Sequence, residues 1–137
     1  MRTLHLGLRV TDLDRSLAYY RAVGYEVVGE VRDTGIGHLT MLQLPGDDFV
    51  TLELVHHPDY NLTSGDSPLS HFVIQVEDMD ATRRRLETLG IDVDEPTSPD
   101  GSPDFWTTML TDPDGTRIEL VQWPAGHPDG MTRADLN

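Results

Sequence analysis

The amino-acid sequence predicts an α+β fold made of two tandem copies of one strand–helix–strands unit. Three observations carry that prediction: a self-similarity at an offset of 66 residues, apolar alternation opening the first copy, and an aspartate-to-glycine bracket around each predicted helix. The shift places residues 5–27 on residues 71–93, with identities at His5/His71, Val10/Val76, Asp12/Asp78, Asp14/Asp80, Gly24/Gly90 and Val27/Val93. With no gap, VTLELV at 50–55 then falls on TRIELV at 116–121 and pairs Glu53 with Glu119. Self-similarity of this kind reads as one supersecondary unit used twice. The expected organisation is a single domain over residues 1–123, with module one at 1–60, module two at 68–123, and a Pro/Gly-rich tail at 124–137.

Each element has its own signal. Leu4, Leu6, Leu8 and Val10 alternate with His5, Gly7 and Arg9, the period-two pattern of a half-buried strand. Thr11 or Asp12 caps the following helix, Leu13, Leu17 and Tyr20 form its apolar stripe, and Gly24 ends it. In the second copy Asp78 caps, Met79, Leu86 and Leu89 face inward, and Gly90 terminates. Segments 26–32, 37–44 and 49–56 read as strands; so do 105–111 and 116–123, after a PDG-rich loop at 95–104. Asp112-Pro-Asp-Gly115 is turn chemistry. In the tail, Thr132 and Asp135 are candidate caps of a last helical turn.

Composition narrows the function classes. The net charge is −14 and all ten basic residues are arginine, a balance that repels nucleic-acid phosphates and anionic membranes. There is no cysteine, which removes disulfides, thiolate metal sites and a cysteine nucleophile together. No apolar run approaches membrane-spanning length and the first residues lack a signal-peptide core, so a cytoplasmic location is expected.

Side-chain parity then isolates four polar residues. If Leu6, Leu8 and Val10, like Phe72, Ile74 and Val76, take the helix-covered face, His5 and His71 point the other way. Leu52 and Leu54, like Ile118 and Leu120, take the apolar face, which turns Glu53 and Glu119 outward as well. Each copy thus supplies one histidine and one glutamate at one shared offset. Were the two sheets to curl into a cup, two imidazoles and two carboxylates would converge, a donor set suited to Zn, Ni, Co, Mn or Fe. Four protein ligands with room for water make an open, catalytic type of site.

The stretches MRTLHLGLRVTDLDRSLAYYRAVGYEVV, VTLELVHH, LSHFVIQVEDM and TDPDGTRIELVQ resemble the glyoxalase I branch of the vicinal oxygen chelate superfamily, over residues 1 to about 123. The resemblance implies paired βαβββ modules forming a cup-shaped sheet around one divalent metal ion, held by His5, Glu53, His71 and Glu119. It further implies a homodimer whose sites lie at the interface. The implied reaction converts the hemithioacetal of a 2-oxoaldehyde and a thiol such as glutathione into a 2-hydroxyacyl thioester, through an enediolate. Glu119 matches the family's base, and Glu53 its pseudo-symmetric partner.

Two departures from that pattern concern the thiol. Arg9 matches an arginine that grips a glutathione carboxylate, but the position four after Glu53, often asparagine in the family, is His57. A usual glycine-rich stretch is replaced by Pro103-Asp104-Phe105-Trp106, which makes Trp106 a candidate pocket residue beside Arg9 and His57. His38, His56 and His127 read as surface residues. Competing members of the superfamily differ at the ligands. A bleomycin-resistance type binding module lacks them, and a fosfomycin-resistance type thiol transferase needs only two His and one Glu. A methylmalonyl-CoA epimerase commonly has glutamine at the Glu53 position, and a ring-cleaving dioxygenase uses iron with two His and one Glu. Glu53 therefore carries the choice of branch.

Overall fold

The computed structural model describes residues 4–59, 69, 71–130 and 133–136. The chain divides into two units, Met1–Asp66 and Ser67–Asn137. In the first, β1 (Leu6–Val10) leads into α1 (Leu13–Val23), followed by β2 (Glu26–Thr34), β3 (Gly37–Gln43) and β4 (Leu52–His56). These strands form one sheet in the order β1-β4-β3-β2, with β1 parallel to β4 and the other pairs antiparallel. The second unit runs β5 (His71–Gln75), α2 (Met79–Thr88), β6 (Trp106–Thr111) and β7 (Arg117–Gln122), in a separate sheet ordered β5-β7-β6. The result is the tandem α+β architecture that the repeat predicts.

The second unit departs from a full βαβββ plan at one place. Where the first unit has β2, the second has a lone antiparallel bridge between Thr97 and Thr107, helped by Asp94 N donating to Met109 O at 3.1 Å. Asp92, Asp94 and Glu95 are poor strand formers, and Pro96 offers no N–H to a ladder. Among the described residues that segment therefore stays outside the sheet.

Each helix starts where its aspartate stands. Asp12 is the cap of α1, its carboxylate accepting from Arg15 N at 3.0 Å, and Asp78 does the same for Ala81 N at 2.8 Å. Gln122 of β7 adds a second tie, its Oε1 accepting from Met79 N at 2.7 Å. The buried line of α1 is Ser16, Tyr20 and Val23, with Leu13 and Leu17 half-buried at its margin. In α2, Met79 and Leu86 are buried as expected, but Leu89 is 53% exposed and Ile91 takes its place. The cause is Gly90, whose left-handed φ of 79° turns the chain back so that Ile91 N reaches Leu86 O at 3.0 Å. In that turn the residue after the glycine, not the one before it, packs on the helix. Leu8, Val10, Leu42, Leu52 and Leu54 form the core of the first unit, and Ile74, Leu110, Ile118 and Leu120 that of the second. The Asp112 turn forms as read, with Oδ1 accepting from Asp114 N and Thr116 N. Residues 133–136 make a short 3-10 turn; Thr132 lies outside the described residues.

Candidate metal centre

Each His–Glu pair is set by a parallel strand pair in one and the same register. Gly7 lies abreast of Glu53, Leu8 of Leu54 and Arg9 of Val55. In the other unit Val73 lies abreast of Glu119, Ile74 of Leu120 and Gln75 of Val121. Each histidine precedes by two the residue abreast of its glutamate, and so shares the glutamate's face one diagonal step away. His5 Nε2 is 3.5 Å from Glu53 Oε2, and His71 Nε2 is 3.3 Å from Glu119 Oε2.

Those spacings test the fit to a metal ion. A charge-assisted N–H···O bond closes to about 2.7–2.9 Å. Two donors on one ion at about 2.1 Å, subtending between right-angle and tetrahedral geometry, stand roughly 3.0–3.4 Å apart. The 3.3 Å pair falls within the second spacing and the 3.5 Å pair just beyond it, both longer than the first, and neutral imidazole with carboxylate is the donor chemistry of a borderline divalent ion. Among the described residues no group of three or more His, Asp or Glu side chains gathers at one point; each unit carries one His–Glu pair.

The pairs differ in their surroundings. The Glu53 side chain is 11% exposed and that of Glu119 is 28% exposed. Glu53 lies against Gly7, where an added Cβ would stand 3.5 Å from its Oε1. At the matching place the second unit carries Val73, whose side chain is exposed.

The other expected residues divide. Arg9 is exposed and, by strand parity with Gly7 and Val55, shares the face of Glu53. His57 stands just past β4 on that same parity, with Nδ1 accepting from Asp59 N at 3.1 Å. Trp106 is not brought to the face of Glu119. It alternates with Thr107 and shares the face of the buried Thr108 and Leu110, while its Nε1 donates to Pro103 O at 2.9 Å.

Several residues that sequence reading passed over do share that face. Met41 pairs with Glu53 and Met109 with Glu119. Thr-Met-Leu recurs at 40–42 and 108–110, but at an offset of 68 rather than 66, which hides it from an ungapped shift. Phe105 and Trp123 also follow the parity of Met109 and Glu119, and their rings stack at 5.2 Å. Carrying the alternation of Glu119 and Val121 one step further finds Trp123. His127 is no surface residue: its ring stacks on Trp123 at 4.4 Å and its side chain is 15% exposed.

Residues 2–120 match the family described as the Glyoxalase/Bleomycin resistance protein/Dioxygenase superfamily. The lactoylglutathione lyase of Neisseria meningitidis serogroup A is 30% identical over 129 residues, covering 92% of this chain and 94% of that protein. Among solved structures, the trypanothione-dependent glyoxalase I of Leishmania major superposes with a TM-score of 0.71 at 27% identity, over 89% of this chain and 86% of that one. A glyoxalase I mutant from Zea mays superposes with a TM-score of 0.75 at 25% identity, over 89% of this chain and 45% of that one. No helix among the described residues is long and apolar enough to cross a membrane.

Proposed function

Because the chain belongs to the glyoxalase, bleomycin resistance protein and dioxygenase superfamily, we propose that it is a metal-dependent lyase of the glyoxalase I type, acting on the hemithioacetal of a 2-oxoaldehyde. The observation that carries this reading is the doubled His–Glu pair, in one register and near ligand spacing in both units. His5, Glu53, His71 and Glu119 would hold one divalent ion, brought together in a homodimer with sites at the interface. When bound, that ion supplies Lewis-acid neutralisation of charge developing on the substrate's adjacent oxygens.

The remaining work falls to the chain's own groups. Removing a proton from carbon needs a base that can reach one carbon and return the proton to the next. Glu119, the more exposed carboxylate, has room for that displacement. Glu53, buried against Gly7, is held in place and suits an anchor. The exposure of Arg9 on the face of Glu53 supports a role in which its planar fork donates to a substrate carboxylate. His57 replaces an amide with an imidazole whose donor pattern depends on tautomer, so a thiol other than glutathione is the expected partner. Named relatives already differ in that respect, one a lactoylglutathione lyase and one dependent on trypanothione.

The test is turnover of several thiol–methylglyoxal adducts by apo-protein reconstituted with Ni, Zn, Co, Mn or Fe. Chelation should abolish activity and one ion per site restore it. Mixing inactive His5→Ala with inactive Glu119→Ala protein should regenerate active sites if each site draws on two chains. Absence of stoichiometric metal binding after reconstitution would overturn the reading, as would no adduct turned over by the metal-loaded protein.

A further inference from the structure

In the second unit the face that carries Glu119 leads into the C-terminal segment. One row past Glu119, about 7 Å along the strand, Gln75 stands abreast of Val121. Its amide is engaged at both ends: Nε2 donates to Asp129 Oδ1 at 2.7 Å, and Oε1 accepts from Gly130 N at 3.0 Å. The next row is Trp123, stacked with both Phe105 and His127. The matching positions in the first unit are Arg9 and His57, both well exposed at the side chain.

His127 pins the segment. Nδ1 lies 2.6 Å from Pro128 O and Nε2 lies 2.7 Å from Asp135 Oδ1. Both partners only accept, so the arrangement is satisfied in full only by an imidazolium, with both ring nitrogens donating. A neutral ring would turn a lone pair toward one of those oxygens and lose that bond.

We propose that the segment from Trp123 to Gly130 closes the outer end of the His71/Glu119 face and limits the size of the substrate group accepted there, with His127 as the positioning residue that holds it shut. The size limit rests on the glyoxalase-type reading; the latch itself does not. Asp135 beside His127, and then the Pro128 carbonyl, raise the imidazolium pKa above its ordinary value. The sign follows: the hold is complete below the unfolded-state value and is lost as pH rises through the raised one. The other groups packed on the segment are uncharged Trp123 and Phe105, with Asp104, before β6, accepting from Ala125 N at 3.2 Å and Asp129 on Gln75.

The test has two arms. In Trp106→Phe protein, Trp123 is the sole indole, and its emission is followed from about pH 6 to about pH 9.5, a span that brackets a raised histidine. Emission should rise with pH, because a stacked imidazolium quenches indole. Asp135→Asn should move that transition to lower pH, and His127→Gln should abolish it. An emission that is flat with pH, or that rises equally in His127→Gln, would overturn the latch. The second arm compares kcat/KM for the phenylglyoxal and methylglyoxal adducts of one thiol. The intact protein should disfavour the aryl adduct roughly tenfold or more, the scale on which pocket size discriminates. His127→Ala and Asp129→Ala should each relax that ratio through KM rather than kcat. An unchanged ratio would refute the size limit. If neither adduct is turned over, the glyoxalase reading and the size limit fall together, and the emission arm still decides the latch.

Discussion

The two units hold their His–Glu pairs alike and surround them differently. The parallel register is the same to the residue, and the two Nε2–Oε2 separations differ little. Around them, Gly7 corresponds to Val73 in the repeat, Arg9 to Gln75 and His57 to Trp123, and a nine-residue β2 corresponds to a single bridge. Backbone register places the His–Glu pairs, and register is protected because a one-residue slip would bury every outward group. The neighbouring side chains carry no such constraint, so they are where one unit can become an anchor and the other a reactive wall. Equal geometry with unequal exposure is what a single base with a passive partner requires.

The sharpest way to break this comparison is to neutralise each carboxylate in turn. Glu119→Gln keeps an oxygen donor and removes a proton acceptor, so turnover should fall by about 100- to 10,000-fold with folding retained. Glu53→Gln should cost much less turnover at saturating metal; equal losses would mean that the two carboxylates share the role. A smaller effect probes the cores. Leu54→Ala and Leu120→Ala remove equivalent side chains, both essentially fully buried, and each should lower stability by about 2–5 kcal/mol in chemical denaturation. Two separate transitions, one moved by each variant, would show that the units unfold independently. The smallest effect is at the helix caps. Asp12→Ala and Asp78→Ala should each cost about 1 kcal/mol, and less at Asp78 if Gln122 keeps the start of α2 in place.

Much of this was legible in the residues because the relevant forces are local and periodic. Alternation in β1 and β5 correctly turns His5 and His71 away from Leu8 and Ile74, and the aspartate caps and Gly90 mark both ends of α2. What escaped depended on chain reversal or on irregular backbone without a readable period. Leu89 looks like a core residue until Gly90 turns the chain and Ile91 takes the contact. His127 looks like tail until it meets Trp123, four residues before it, and Asp135, eight after it; the contacts are close in sequence but lie in irregular backbone that has no period to read. The strand face of Trp106 was available from the same alternation that placed the glutamates. Replacement of a glycine-rich stretch drew attention to it instead of to Phe105.

The recurrence of Thr-Met-Leu two residues out of step has a consequence for how such a protein can change length. Thr40 pairs with Leu54 and Thr108 with Leu120, so the second hairpin is shorter by two residues while its facing is preserved. An even deletion within a strand moves side chains along the sheet without turning them over; a deletion of one between Met109 and the turn that shifts the pairing would bring the buried Thr108 beside Glu119 in place of Met109. The connection at 112–116 can change by any number of residues while the strand pairs stay intact; parity binds only where the residue is lost inside a strand, unless a bulge absorbs it. Strand length, not loop length, behaves as a parity bit, read by the sheet when a codon is gained or lost inside β6 or β7.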